Sequence, residues 1–201
     1  FIGFHLAKTL ALQNHEVTII DDLSRGMRDK DFKELIKLKK IRFKKSNLEK
    51  SVQINKKDFD FIFHLAAVVG VKNVIKQPMN VLEKNVKLLF SIMNFAKKQK
   101  KLKRFFFLST SEIYAGSLKN KLLKFPTSEK SILSLDELNN KRSTYMLSKI
   151  YCEALVNFSK LPYTILRPHN IYGPRMGMSH VIPEITAKAL KKNKTLKIVN
   201  S

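Results

Sequence analysis

Four short apolar runs constrain the fold of this chain more than any other feature of its sequence. They span residues 16–21, 59–67, 105–108 and 163–166, and segments with helical spacing of apolar residues separate them. Each run is apolar along most of its length instead of alternating with polar residues, which is typical of strands buried on both faces. This order predicts an α/β chain in which helices cover both faces of a parallel sheet.

The segments between these runs predict helices of clear amphipathic character. We expect helices over residues 4–11, 78–98 and 143–158, with Ser143 capping the last of them. A weaker strand is expected at 41–43, after a lysine-rich helix, and residues 116–142 are expected to form a polar loop. Residues 196–201 read as the beginning of a further strand. The inward face of the second helix should carry Val81, Val86, Leu89, Ile92, Met93 and Ala96.

Composition excludes several classes of protein. The chain is 44% hydrophobic over 201 residues, which is enough to build a core and argues against disorder. Its single cysteine, Cys152, rules out a disulfide framework and suits a reducing compartment, so we expect a cytoplasmic protein whose cysteine lies in the core. No run reaches the ~18 apolar residues of a membrane span, and the five histidines have no metal-ligand spacing.

The net charge of +23 raises the alternative of a basic binding protein with an RNA or acidic partner. The lysine clusters at 37–40, 97–103 and 191–194 fall at predicted helix ends and loops, and they form no stripe with interleaved aromatic residues. We therefore expect no nucleic-acid partner and no membrane partner, and we keep the non-catalytic binding protein as the alternative of another class.

Polar residues collect where the predicted strands end. Asp21 and Asp22 close the first run, His64 lies near the end of the second, Ser109 to Ser111 follow the third, and His169 and Asn170 follow the fourth. Ligands of open parallel sheets bind at the carboxyl ends of the strands, so these residues predict the position of a site. Asp21 also lies about 20 residues after Gly3, the spacing at which dinucleotide folds place an acid on the ribose.

Tyr145 and Lys149 form a Y-x-x-x-K pair that places both side chains on one face of a helix. A cation beside a phenol favours the phenolate, so we expect a lowered pKa for Tyr145 and a role in proton transfer. Thr110 follows a buried strand and could hydrogen-bond the same substrate hydroxyl. Taken alone, the spacing also fits an ordinary surface pair.

Together these segments resemble the motifs of the extended short-chain dehydrogenase/reductases, the NAD-dependent epimerases, dehydratases and decarboxylases of nucleotide sugars. Six segments resemble, in order, the family's G-x-x-G-F-I-G, D-N-L-S-x-G, H-x-A-[AG], S-[ST]-x-x-x-Y, Y-x-x-x-K and R-x-x-N-x-Y-G-P patterns, with Asp22 where Asn is usual. They are Phe1-Ile2-Gly3, Asp21-Asp22-Leu23-Ser24-Arg25-Gly26, His64-Leu65-Ala66-Ala67, Ser109-Thr110-Ser111-Glu112-Ile113-Tyr114, Tyr145 with Lys149, and Arg167-Pro168-His169-Asn170-Ile171-Tyr172-Gly173-Pro174-Arg175.

The resemblance implies a Rossmann-like doubly wound fold that binds NAD. Asp21 would take the adenosine ribose and favour NAD over NADP, whose 2′-phosphate would meet a like charge. Asn47 stands where the family usually has an acid. The residues implied to contact the cofactor are Phe1, Ile2, Gly3, Asp21, Asp22, Leu23, Ser24, Arg25, Gly26, Asn47, Leu48, Leu65, Ala66, Ala67, Asn85, Ser109, Tyr145, Lys149, Pro168 and His169.

The resemblance also implies the chemistry. Tyr145, helped by Thr110 and Lys149, would remove the C4 hydroxyl proton of a sugar nucleotide, such as a UDP-sugar, while hydride passes from C4 to NAD. The 4-keto sugar could then be reduced on the other face, lose water or lose carboxylate. Ser111 replaces the acid of the dehydratases and is too weak an acid for water loss. A 4-epimerase is therefore favoured modestly over a UDP-glucuronate decarboxylase, and a 4,6-dehydratase is kept as a weaker alternative. Substrate contacts are implied for Thr110, Ser111, Glu112, Asn170, His180, Val181 and Ile182.

The family pattern further implies that the sequence is the interior of a longer protein. The first strand of a 3-2-1-4-5-6 sheet would precede Phe1, and most of the substrate domain would follow Ser201. We expect an NAD-binding portion over residues 1–168 and the beginning of a substrate-binding portion over 169–201. We also expect a homodimer through the helices at 78–98 and 143–158, and poor folding and little NAD binding for residues 1–201 alone.

Overall fold

A computed structural model describes residues 1–26, 28–50, 52, 54, 58–135, 137–177 and 180–190. The lysine cluster at 191–194 and the strand predicted at 196–201 lie outside the described residues. The described residues fall into two compact units. The first unit contains the described residues of Phe1–Val17, Gly26–Arg42 and Asn170–Ser201. The second contains those of Thr18–Arg25 and Phe43–His169.

Strands and helices alternate along the described chain, as the apolar pattern predicts. The strands are β1 (Val17–Asp21), β2 (Ile41–Lys45), β3 (Phe61–His64), β4 (Arg104–Leu108) and β5 (Tyr163–Leu166). The helices are α1 (Ile2–Leu12), α2 (Lys30–Lys37), α3 (Val71–Lys76), α4 (Pro78–Ala96), α5 (Ala115–Lys119), α6 (Ser143–Asn157) and α7 (Val181–Leu190), with a 3₁₀ turn at Ser111–Tyr114.

The strands form two sheets. In the first, β1 pairs with β2, and their ends are joined by hydrogen bonds from Val17 N to Lys40 O and from Ser46 N to Asp21 O, so both strands run in the same direction. The second has the order β3-β4-β5 with parallel pairing throughout. Its register sets His64 opposite Phe107, and Leu108 opposite Leu166. The segments that follow these three strands therefore leave the sheet at one edge.

One face of the β3-β4-β5 sheet is buried under α4 and α6. Phe105 and Phe107 of β4 are almost completely buried there, and Cys152 lies in the same cluster, as predicted. The opposite face is less buried than the continuous apolar pattern predicts: Phe63 and Phe106 stack at 4.5 Å between ring centroids and are half-buried, while Phe61 is 50% exposed. The core cluster consists of Ile62, Leu89, Ile92, Met93, Ala96, Phe105, Phe107, Cys152 and Val156.

Two local expectations are wrong. The predicted polar loop contains the short helix α5, and α6 has Arg142 at its N-cap. Ser143 begins the helix itself, and its hydroxyl donates to Glu137 O at 3.0 Å instead of capping. Both errors arise because tertiary contacts with the preceding loop determine where a polar side chain finds its partner.

No helix within the described residues is long and apolar enough to cross a membrane. The same part of the chain contains no group of three or more His, Cys, Asp or Glu side chains that could hold a metal ion.

His64 ends β3 with only 4% of its surface exposed, and burial lowers its pKa to about 3. The folded protein therefore keeps His64 neutral while the unfolded chain takes up a proton below pH ~6.5. The stability that depends on a neutral His64 is fully present above pH ~6.5. As the pH falls from there toward 3, the unfolding free energy decreases by at most about 1.4 kcal/mol per pH unit. We expect His64→Leu to flatten the fall in unfolding free energy between pH 6.5 and 5 in urea titrations. The exposed His15, changed to Asn, is the control, and equal slopes for both variants would contradict this prediction.

Candidate active site

The predicted catalytic side chains come together at the edge of the sheet where β4 and β5 end. Thr110 follows β4, is buried, and accepts a hydrogen bond from Glu112 N at 3.2 Å, which begins the 3₁₀ turn. Tyr145 lies in the first turn of α6, near enough to the hydroxyl of Thr110 for that group to act on the pKa of the phenol. The fold therefore brings together two motif residues that lie 35 positions apart in the sequence.

The electrostatic surroundings of Tyr145 differ from the sequence prediction. Burial, together with the negative charge of Glu112, raises the pKa of Tyr145 to about 12, against the opposing hydrogen bond with Thr110. The prediction of a lowered pKa is therefore wrong for this arrangement. The reason is that the ammonium of Lys149 lies 5.9 Å from the ring centroid and is engaged elsewhere.

Lys149 points to the end of β4. Its Nζ donates to Leu108 O at 2.7 Å and lies 4.9 Å from the centroid of the Phe107 ring. The residue is only 4% exposed, and burial lowers its pKa to about 8. A lysine with such a pKa loses its charge near neutral pH more readily than a solvated one, so it can exchange protons and hydrogen bonds within the site.

A buried polar bridge ties α6 to the loop after β3. Asn85 of α4 accepts from Val68 N at 2.7 Å and donates to Val68 O at 3.3 Å and to the Ser148 hydroxyl at 3.1 Å. Ser148 in turn donates to Tyr145 O at 2.7 Å. The amide of Asn85 is thus engaged by protein groups, and its predicted contact with the dinucleotide stays a prediction. Ser148 carries no motif signal that would single it out from the sequence.

Arg167, just after β5, connects three further parts of the second unit. Its guanidinium binds both carboxylate oxygens of Glu153, with Nε to Oε1 at 3.0 Å and Nη2 to Oε2 at 2.7 Å. Its Nη1 donates to the Tyr114 hydroxyl at 2.5 Å and to Glu129 O at 2.8 Å. The sequence shows Arg167 and Tyr114 only as members of two separate motifs and does not reveal their contact.

The segment after β1 forms a compact turn. Asp21 accepts from Leu23 N at 2.7 Å, Asp22 accepts from Ser24 N at 2.9 Å, and Leu23 adopts the left-handed backbone conformation with φ 60°. Burial opposes the effect of the Ser24 hydrogen bonds on Asp22, but those bonds prevail and lower the pKa of Asp22. A carboxylate has about four lone-pair sites, so each aspartate keeps acceptor capacity for a ligand beyond the bonds of the turn.

A cavity of about 250 Å³ adjoins this turn within the second unit. Arg25 and Lys84 give it cationic walls, and Ser24, Ala67, Asn73 and Asn80 add small and polar ones. The hydroxyl of Ser109 is buried and has no hydrogen-bond partner among the described residues, so it could bind a group of the cofactor. A cationic cavity and an orphaned hydroxyl fit the phosphates and hydroxyls of a dinucleotide.

The other predicted cofactor residues of the second unit are placed as follows. Leu65 and Ala67 are half-buried in the loop after β3, and Ala66 is exposed. Leu48 is buried, while Asn47 is exposed and accepts from Glu49 N at 2.8 Å. Pro168 accepts a backbone bond from Ser111, and His169 is exposed. For all of these, the contact with a cofactor stays a prediction.

The remaining predicted residues belong to the first unit. Phe1, Ile2 and Gly3 open α1, Gly26 is exposed in the loop before α2, and Asn170 is exposed. Val181 and Ile182 open α7 and are 71% and 47% exposed, after His180, which donates from its backbone to Gly177 O. Ile182 also lines a cavity of about 390 Å³ formed with residues 172–176.

The first unit also shows how the end of the R-x-x-N-x-Y-G-P segment is anchored. Arg175 binds Asp29 at 2.7 Å and Asp31 at 3.0 Å, and its guanidinium lies 4.1 Å from the centroid of the Phe4 ring. His5 Nε2 lies 3.0 Å from Pro174 O. The segment that follows Asn170 is therefore held against α1 and the beginning of α2.

Comparison with known proteins gives one consistent result. The family model described as NAD dependent epimerase/dehydratase family matches residues 1–201. Among curated proteins, the chain is 33% identical to a UDP-N-acetyl-alpha-D-glucosaminuronate decarboxylase of Bacillus cytotoxicus over 95% of its own length and 59% of the relative. It is 30% identical to a dTDP-D-glucose 4,6-dehydratase of Dictyostelium discoideum over 96% of its length and 47% of the relative. It is 28% identical to a putative UDP-glucose 4-epimerase of Methanocaldococcus jannaschii, over 95% and 60%.

Solved structures agree on the Rossmann-like α/β fold. A UDP-glucose 4-epimerase of Thermotoga maritima superposes with a TM-score of 0.75 at 24% identity, covering 95% of this chain and 60% of that one. A UDP-N-acetylglucosamine 4-epimerase of Methanobrevibacter ruminantium gives 0.71 at 25% identity with the same coverage. The chain thus spans about half to three fifths of the length of the proteins it matches.

Proposed function

Because the chain belongs to the NAD-dependent epimerase/dehydratase family, we propose that its protein is a nucleotide-sugar 4-epimerase that oxidises the sugar transiently at C4. The observation that carries this proposal is that the fold brings Tyr145 next to Thr110, with the buried Lys149 one helical turn beyond Tyr145. A basic binding protein has no need of this arrangement. The substrate class is a nucleotide sugar, and a UDP-sugar is our first choice.

The residues of the chain perform the proton transfer. Tyr145 takes the C4 hydroxyl proton, and Thr110 hydrogen-bonds the same hydroxyl. The charged form of Lys149 would favour the phenolate of Tyr145 once its ammonium turns from Leu108 O toward the phenol. Bound NAD would supply the acceptor for the C4 hydride and a positive charge. Asp21 would hold the adenosine ribose. The residues that line the cationic cavity next to the turn would hold the phosphates.

Reduction on the opposite face is the fate of the 4-keto sugar that this site supports best. Glu112 is the acidic residue whose charge acts on Tyr145, and Ser111 stands where water elimination needs a second acid. Epimerisation needs only that Tyr145 return its proton after the hydride returns to C4.

Decarboxylation is the second candidate. It is favoured by the 33% identity to a decarboxylase of a UDP-N-acetylated uronic acid. It requires a cationic group facing the substrate carboxylate, and the 4-keto group formed at Tyr145 then accepts the electrons that the departing CO₂ leaves. Both candidate reactions begin with the same oxidation at C4. They differ in the substrate, because decarboxylation requires a sugar that carries a carboxylate.

The complete gene product tests the proposal. It is incubated with UDP-glucose, UDP-N-acetylglucosamine and UDP-glucuronate, and products are identified by NMR. A C4 epimer of any of the three supports the epimerase, and loss of CO₂ from UDP-glucuronate supports the decarboxylase. No turnover of any nucleotide sugar contradicts both and favours the basic binding protein. We also propose a homodimer, which sedimentation equilibrium of the same product tests.

Cofactor selectivity gives a sharper prediction. A 2′-phosphate beside the carboxylate of Asp21 meets a like charge, so we expect Asp21→Ser to improve binding of NADP relative to NAD by about tenfold. Asp22→Ser is the matched control, since Asp22 makes the equivalent backbone bond one residue later. Isothermal titration of both dinucleotides measures the ratio. An equal change in both variants would show that the turn, and not the charge of Asp21, sets the preference.

A further inference from the structure

One guanidinium joins four segments of the second unit. Arg167, directly after β5, forms a bidentate ion pair with Glu153 of α6 and donates to the hydroxyl of Tyr114 in the 3₁₀ turn and to Glu129 O. The side chain of Glu153 is 5% exposed and that of Arg167 is 21% exposed, so water competes weakly for these bonds. We call Arg167, Glu153 and Tyr114 the Arg167 clamp.

The backbone connects this clamp to Thr110. Ser109 N donates to Leu166 O at 2.7 Å, and Ser111 N donates to Pro168 O at 3.0 Å. These two bonds lie on either side of Thr110 in the segment after β4 and on either side of Arg167 in the segment after β5. They couple the position of Thr110 to that of the segment after β5.

The clamp also reaches the helix that carries the proton-transfer residues. Tyr145, Lys149 and Glu153 follow one another at intervals of four residues along α6, so they share one face of the helix. Glu153 fixes this face against the segment after β5, and Tyr114 fixes the turn that begins at Thr110. The contact between Tyr145 and Thr110 lies between these two attachments.

We propose that Arg167, Glu153 and Tyr114 are positioning residues that hold Thr110 beside Tyr145 during the proton transfer. This rests on the proposed function, because it assigns the residues a role in that same step. Their polar groups bind one another and Glu129 O, so we assign them no direct contact with the sugar or the cofactor. Their effect on the rate therefore passes through Thr110.

A double-mutant cycle on the complete gene product tests this proposal. Tyr114→Phe removes only the hydroxyl that accepts from Arg167, and we expect it to lower kcat about tenfold, with KM for the nucleotide sugar changed less than twofold. Thr110→Val removes the group that is positioned. When the Tyr114→Phe change is added to Thr110→Val, we expect no further loss of kcat. Additive losses would overturn the proposal while leaving the proposed function intact.

Hydrogen exchange supplies a readout that does not depend on turnover. We expect amide exchange across residues 109–114 to accelerate at least fivefold in Tyr114→Phe, because the turn loses its side-chain bond to Arg167. Tyr151→Phe is the matched control, since Tyr151 lies on the same α6 helix and is 47% exposed. Unchanged exchange over 109–114 would overturn the positioning role even in a protein that turns over no nucleotide sugar.

Discussion

The Tyr145→Phe variant is expected to lose about 10²- to 10⁴-fold in kcat on any nucleotide sugar that the complete gene product turns over. Tyr145 contacts Thr110, and its hydroxyl is the one acid–base group that the proposed proton transfer uses directly. Phenylalanine keeps the ring and removes only this hydroxyl, so the packing of α6 is preserved. Steady-state kinetics measures the loss, and titration with NAD should give an affinity within threefold of the wild type.

The control for this experiment is Tyr151→Phe, which removes an exposed hydroxyl two turns along the same helix. We expect its kcat to stay within twofold of the wild-type value. A Tyr145→Phe protein that retains more than a tenth of the wild-type rate would mean that another group accepts the proton. The neighbouring Lys149, with its pKa near 8, would then be the first side chain to test.

The second large effect is on stability. Arg167→Met removes the cation that binds both oxygens of Glu153, and it leaves that carboxylate buried with 5% exposure and no counter-charge from Arg167. Breaking a buried ion pair by removing one partner typically costs about 3–5 kcal/mol. We expect a loss of this size in the unfolding free energy of the complete gene product, measured by urea denaturation at pH 7.

An exposed ion pair in the same unit provides the contrast. Lys103 binds Asp60 at 3.0 Å, with side chains 68% and 54% exposed, so Lys103→Met should reduce the unfolding free energy far less than Arg167→Met. The combination of Arg167→Met with Glu153→Met should recover part of the loss, because no charge is then left buried. Equal costs for Arg167→Met and Lys103→Met would contradict the view that burial gives the Arg167 pair its importance.

Much of the fold could be predicted because its signals are local. The positions of β1, β4, β5, α1 and α4 follow from runs and periodicities no longer than one element. The face shared by Tyr145 and Lys149 follows from helical geometry alone, and the collection of polar residues at the strand ends follows from parallel topology. The beginning of α6 at Ser143 and the short helix α5 were predicted wrongly. Competition between local and tertiary hydrogen bonds decides where these helices begin.

The sequence by itself determined the alternation of elements, the family motifs and the placement of Tyr145 and Lys149 on one face of a helix. Only the tertiary structure decided which motifs meet: Arg167 bonds Tyr114 across 53 positions, and Asn85 bonds Ser148 across 63. It also reversed the expected direction of the Tyr145 pKa, because the amine of Lys149 binds Leu108 O while burial acts on the phenol. Spacing along a chain describes neighbours within one helix or strand. Burial and charge depend on residues that only folding brings together.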